Sequence, residues 1–389
     1  MRDDVVVPFA QGTARILKLS DVRDLDAWKR AFQDKCKDHR YYELIEQTLA
    51  NDFEYRYAVL EDSSGNVRAI QPLLFVRQNL IEGVRGFFRT IVDLVRKKFP
   101  RFLTMRVLMI GCAAGAGELD AANPEHERWI AEALGSTLRD CARADKASLV
   151  VFKDFLSQYR EPLAILSEHG YARVPSMPMT QLALSFKNID EYLGTLGYIS
   201  RKSLRRKFRK TERDAKIEME VVGDVSSIVD QIYPLYLQVH ERSPMKFENL
   251  SKEFFIGIGK EMPEHARFFV WRINGRIVAF SLALVCGNTI SDECIGLDYA
   301  VALDLHLYFY TMRDVIRWAI DQKLGCYVSG PLSYDPKLHL GHELAPLDLY
   351  VLHTNAWLNP IFKFALKYLE PTRHDPILKK FPNAGALTA

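Results

Sequence analysis

Residues 268–285 read FFVWRINGRIVAFSLALV, and this stretch decides the fold. Two β-type runs, Phe268–Ile273 and Arg276–Val285, flank Asn274-Gly275. An Asn-Gly pair between such runs is a strong hairpin signal, because a type I′ turn requires positive φ at both central residues. Working outward, Thr289–Asp298 predicts a third strand and His306–Lys323 an amphipathic helix that ends at Gly325. Cys326–Ser329 then predicts a short strand and Leu347–His353 a last one, while Ile228–His240 predicts a helix ahead of the hairpin.

The same order occurs earlier in the chain. Tyr55–Leu60 and Val67–Val76 flank a turn at Gly65 and Asn66, and the strand Met105–Ile110 runs into the small-residue loop Gly111–Gly117. A helix over Glu125–Ala144 is introduced by Asn123 as cap and Pro124 in the first turn. A strand at Ser148–Lys153, a helix near Phe155–His169 and a strand at Thr180–Phe186 complete the set. The expected fold class is therefore α/β with mixed sheets, in two tandem domains of one type. The expected boundaries are 1–190, a basic linker helix at 191–220, and 221–389.

The chain has 389 residues, 48% hydrophobic and 26% charged, which excludes wholesale disorder and a disulfide scaffold. Fifty-two Lys and Arg against 49 Asp and Glu leave a net charge of +3, too small for a global nucleic-acid binder, and no DNA partner is expected. Charge is instead local: Arg201–Arg213 holds eight cationic residues in thirteen, with Leu204 and Phe208 four apart. That helix reads either as a solvated connector or as a docking surface for phosphate on a nucleotide, a tRNA or a lipid head group. The opening MRDDVVVPF is not a signal peptide, and no stretch approaches about 20 uninterrupted apolar residues, so a cytoplasmic location is expected. No CxxC pair or carboxylate–His cluster points to a metal.

The order hairpin, strand, loop, helix, strand, strand is similar to that of the GNAT acyltransferase fold. Two such domains with a basic helix between them resemble the FemAB-like acetyltransferase group. The residues that carry the likeness are Arg201–Asp214, the strand Gly275–Leu284, the stretch Gly296–Gly330, and Tyr334–Gly341, which is similar to a Tyr-x-x-Lys-x-x-x-Gly signature. The resemblance implies N-acyl transfer to an amine, with acyl-CoA (acetyl or longer) as co-substrate and no tightly bound cofactor. The Fem-type alternative is aminoacyl transfer from charged tRNA to a peptide or peptidoglycan precursor. A catalytically silent binding module in envelope or exopolysaccharide assembly is a third reading, favoured by the absence of glycine between Asp298 and His306.

Acyl transfer needs donors for a developing oxyanion and a route for the amine proton. The resemblance assigns Lys337 to substrate phosphate or to that negative charge, on a loop at a sheet edge, with Tyr334 beside it. Asp298, ending a strand, is a candidate base or else a turn cap, whereas Asp292 and Glu293 read as solvated turn residues. Tyr299, His306 and Tyr308 cluster at the next helix start, and Arg242 could clamp a carboxylate or phosphate. Gly111, Gly115 and Gly117 would let backbone approach the phosphates of a cofactor, or simply serve a tight turn. Two amphipathic stretches, Phe87–Phe99 and Trp357–Tyr368, leave contact with the inner face of a membrane or a lipid-linked acceptor as a partner reading beside plain domain packing.

Overall fold

Asn274 and Gly275 adopt φ of 49° and 78°, the pair of left-handed residues that the hairpin reading requires. At the earlier hairpin Asp62 Oδ1 accepts from the backbone of Ser64 and Asn66, both at 3.0 Å, and Gly65 takes φ 81°. The computed structural model describes residues 5–79, 94, 96–98, 104–244 and 246–388; nine of the thirteen residues of the stretch Phe87–Phe99 fall outside them.

In chain order the strands are β1 (Val5–Phe9), β2 (Gly12–Leu17), β3 (Glu54–Asp62), β4 (Val67–Asn79), β5 (Thr104–Ile110), β6 (Leu149–Leu156) and β7 (Ala172–Ala183). They continue as β8 (Ile217–Val222), β9 (Ala266–Ile273), β10 (Arg276–Cys286), β11 (Thr289–Leu297), β12 (Cys326–Ser329) and β13 (Glu343–His353). The longer helices are α1 (His39–Leu49), α2 (Pro124–Ala144), α3 (Ile189–Thr195), α4 (Tyr198–Asp214) and α5 (Val229–Arg242). After them come α6 (Lys252–Glu261), α7 (Leu307–Asp321), the short α8 (Tyr334–His339) and α9 (Asn359–Leu369).

The chain divides into two compact units, Met1–Met177 with Pro346–Asp375, and Pro178–Ala345 with Pro376–Leu387. In the first, β1 to β5 form an antiparallel meander, β5 pairs parallel with β6, and β13 lies antiparallel on β6. In the second, β8 to β11 form the meander, β11 pairs parallel with β12, and the end of β7 lies antiparallel on β12. The parallel partners are joined by α2 in one unit and by α7 in the other, as parallel pairs require a crossover.

This division differs from the expected one for a topological reason. Thr180–Ala183, expected to complete the first domain, pairs with β12, and Leu347–His353, expected in the second, pairs with β6. The expected linker is no linker: α4 buries Leu204, Phe208 and Thr211 in the second unit. The helix expected near Phe155–His169 is two 3-10 turns, Ser157–Tyr159 and Pro162–Ser167, since Pro162 interrupts the backbone ladder and β6 extends to Leu156. Each unit has its own core. One includes Leu108, Leu134, Phe152, Phe155 and Tyr350; the other includes Phe269, Trp271, Val315, Ile316 and Tyr327.

Candidate active site

Strands β11 and β12 are paired from Thr289/Cys326 to Asp292/Ser329, where β12 ends. β11 continues to Leu297, paired on its other side with β10, so the two strands fork at Asp292. The β10–β11 register slips between Leu282 and Ala283, leaving Glu293 as the extra residue of a bulge. The bulge aims Asp292 inward, where its carboxylate accepts hydrogen bonds from Ser281 and, at 2.7 Å, from the buried Tyr327 hydroxyl. Burial pushes the Asp292 carboxyl up; the two hydroxyls and the charge of Lys337 oppose it.

Lys337 lies in α8 and is 2% exposed, its ammonium donating to the Gly330 carbonyl. Burial pushes it down to about 7, against the pull of Asp292. The expectation of a lysine on an open loop is corrected here: Ser333-Tyr-Asp-Pro starts a helical turn that carries the side chain inward. Leu332 and Ser333 enter that turn at φ 70° and 50°, and such left-handed non-glycine residues cost about 1–3 kcal/mol each. His342, 1% exposed, sets Nδ1 3.1 Å from Thr180 Oγ1, while its buried Nε2 has no partner among the described residues. Burial, with a smaller push from Lys337, holds its imidazole down to about 3, so the ring is neutral.

The other expected residues fall into separate groups. Tyr334 is buried, its hydroxyl donating 2.8 Å to the Pro178 carbonyl and its ring 6.0 Å from the Lys337 amine. Asp298 is ion-paired to Arg276 and accepts from the Ala300 amide at 3.0 Å, the arrangement of a turn cap. The guanidinium of Arg242 stacks 4.1 Å over Tyr299, whose amide donates to Gln238 Oε1 at 3.0 Å. Tyr308 is partly buried and its phenol is raised by desolvation, offset by a hydrogen bond with Ser333.

His306 caps α7 in a left-handed conformation, and burial followed by the charges of Lys210, Lys207 and Arg206 lowers its pKa. α4 is fixed against this helix start: Lys210 donates to the Asp304 carbonyl at 2.7 Å, and Thr211 to that of Leu305 at 2.6 Å. The cationic helix therefore flanks an α-helix N-terminus, the end that carries positive partial charge.

The glycines of the first unit have a different setting. A Cβ on Gly111 would meet the Lys153 carbonyl at 2.9 Å, one on Gly115 the Lys37 amine at 2.1 Å, and one on Gly117 the Lys153 carbonyl at 2.5 Å. Backbone packing requires the small size at Gly111 and Gly117, whereas Gly115 meets only the flexible end of Lys37 and is favoured by its φ of 135°.

Asp292, Ser281, Tyr327 and His342 were missed in the sequence reading. The signal was slight: an aspartate inside an otherwise β-type run, two residues after the buried Ile290.

Residues 200–337 match the family model described as an acetyltransferase (GNAT) domain. Over 320 residues the chain is 22% identical to the putative 8-amino-7-oxononanoate synthase 2 of Mycobacterium tuberculosis, covering 80% of this chain and 41% of that relative. The chain thus spans about two fifths of the length of the curated relatives it matches. Among solved structures, FemX superposes with a TM-score of 0.52 at 12% identity, over 83% of this chain and 93% of FemX. The C-terminal domain of a putative lysylphosphatidylglycerol synthetase from Agrobacterium fabrum gives 0.48 at 13% identity, over 86% and 94%. The chain thus carries a GNAT acetyltransferase domain over residues 200–337.

Proposed function

We propose that the second unit catalyses N-acyl transfer from acyl-CoA to an amine at the β11–β12 fork. The observation that carries this reading is a buried amine near neutrality that feels the charge of a half-buried carboxylate, at the point where two parallel strands part. The acceptor ammonium gives a proton to neutral Lys337, and Asp292 stabilises the lysine cation that forms. The free amine attacks the thioester carbonyl, forming the C–N bond. Amide groups of β11 beyond Asp292 receive the oxyanion. The C–S bond then breaks, the leaving thiolate takes the proton held by Lys337, and the nitrogen of the new amide sheds its remaining extra proton to the freed lysine amine and from there to water. On this reading Asp298 remains a turn cap.

The start of α7, with His306, Lys207 and Lys210, offers the donor's phosphates an electropositive surface. Arg242 over Tyr299 suits a carboxylate or phosphate on the acceptor. The same cationic face supports the second reading, transfer from a charged tRNA to a peptide or lipid-linked acceptor. Thermal unfolding with acetyl-CoA and with uncharged tRNA separates the two, because a ligand at about 100 times its dissociation constant adds about 2.7 kcal/mol. Stabilisation by acetyl-CoA together with thiol release on adding amines supports the first reading. Stabilisation by tRNA alone replaces it with the second, and a response to neither returns the chain to a silent module.

A further inference from the structure

The helix α9 in the first unit is apolar on two opposite sides. Its inner side is packed: Leu366 is buried, the Phe362 ring lies 5.8 Å from His353, and Asn359 Oδ1 accepts from the His353 amide at 2.9 Å. Asn359 Nδ2 also donates to the Gly170 carbonyl at 2.9 Å, so the first turn is held at two points. The outer side shows Ile361 (66% exposed), Phe364 (61%) and Tyr368 (66%), and the turn that leads into the helix adds Trp357 (88%). From Trp357 to Tyr368 these positions lie four, three and four residues apart and form one stripe along the turn and the helix it opens.

The stripe spans about 16 Å at 1.5 Å per residue. An indole stands at one end and a phenol at the other, with aliphatic and phenyl groups between. Such amphipathic rings favour a boundary with water at one edge and hydrocarbon at the other. No acidic residue occurs from Thr354 to Leu369, whereas Lys363 and Lys367 do. A single helix presents a convex ridge, which fits a yielding flat surface. No helix among the described residues is long and apolar enough to cross a membrane.

We propose that this ridge docks the protein on a bilayer containing anionic lipid, with Trp357, Ile361, Phe364 and Tyr368 sunk to the depth of the head groups and Lys363 among the lipid phosphates. The surface is independent of the reaction assigned to the second unit.

Co-sedimentation of the full chain tests it, with vesicles of phosphatidylcholine alone and of phosphatidylcholine and phosphatidylglycerol in equal parts. The anionic vesicles should bind at least about tenfold more protein, and a Trp357→Ser/Phe364→Ser variant should lose at least about tenfold in that binding. Its melting temperature should be unchanged, since both side chains face solvent. Lys363→Glu should reduce only the preference for the anionic vesicles. Equal binding by the double variant, or no binding by the parent chain, overturns the proposal. Concentration-dependent self-association that the same double substitution abolishes would also overturn it, because the ridge would then be covered by a second copy.

Discussion

Each unit contains one parallel strand pair, and the two pairs end differently. In the first unit, β5 and β6 pair from Val107/Leu149 to Ile110/Phe152. The chain then folds back: the Gly117 amide donates to the Asp154 carbonyl at 2.9 Å, and Gly117 bridges to Phe155. Nearby charges serve that closure, with Lys153 pairing to Asp154 at 2.7 Å and reaching the Gly115 carbonyl at 3.4 Å. In the second unit, β12 ends at Ser329, and the fork holds Asp292, Tyr327 and Lys337. One topology thus supports a strand end that Gly117 bridges and a strand end bordered by ionisable side chains. The contrast teaches that the fold supplies the fork, while a glycine able to enter it, or an ionisable pair kept from water, decides its use.

The comparison breaks most readily at Lys337. Lys337→Met should lower acyl transfer by roughly 10²–10⁴-fold if the amine carries the proton. It should leave the protein folded, since removing a buried charge together with its desolvation cost is often neutral or stabilising. Arg should not rescue it, because a guanidinium does not become neutral near pH 7. A second signature is thermodynamic. Between about 7 and the ordinary 10.5, the unfolded chain carries a proton on this lysine that the folded chain lacks. Stability should therefore rise with pH through that window and fall as pH drops toward 7. Thermal melts across the window should show the rise in the parent chain and not in the methionine variant. Retention of more than half the activity would remove Lys337 from the mechanism.

Asp292→Asn should cost about 10²-fold, within the usual range for a partner in proton transfer. The direction of its pH effect is fixed by charge. Asp292 raises the affinity of Lys337 for its proton, so removing the carboxylate lowers the lysine pKa further. The rising limb of rate against pH, set near 7 in the parent, should move to lower pH. A limb that stays in place or moves upward would show that the two groups do not act together.

What was legible in the sequence followed locality. Asn274-Gly275, Asn123-Pro124 and the period of α7 act within a few residues, and each strand or helix they predict is present. The unit boundary was not legible, because β7 and β13 choose their partners through contacts more than a hundred residues away in sequence. Lys337 stood out by its neighbours, but its burial did not, since Leu332 and Ser333 must turn left-handed to bring it inward. Asp292 was hidden for a similar reason: a bulge opposite Leu282 and Ala283, together with a tyrosine from β12, turns a strand carboxylate into a half-buried, hydrogen-bonded one.

The strand end that Gly117 bridges gives a smaller test. A methyl group at residue 117 would lie 2.5 Å from the Lys153 carbonyl and 2.6 Å from the Phe155 ring. Gly117→Ala should therefore destabilise the protein by about 1–3 kcal/mol, the range for overpacking, as read from denaturant midpoints. Its affinity for acetyl-CoA should be unchanged. A loss of donor binding at unchanged stability would transfer the cofactor site to the first unit and reverse the contrast.

The smallest effect is expected at Asp298, which separates a capping carboxylate from a catalytic one. Its Oδ1 already accepts the Ala300 amide at 3.0 Å, and its other oxygen meets Arg276, a largely exposed side chain. An exposed partner weakens the pair through solvent screening, so Asp298→Asn should cost only about 0.5–1 kcal/mol, because the amide oxygen can still cap the turn. Activity should stay within about threefold of the parent, well short of the loss that removing a proton acceptor brings. If steady-state rates instead fall a hundredfold while the melting temperature holds, the acceptor's proton leaves through Asp298 and the fork pair is a structural feature. The relative size of the Asp292 and Asp298 effects, measured in one assay, therefore decides which end of β11 does the chemistry.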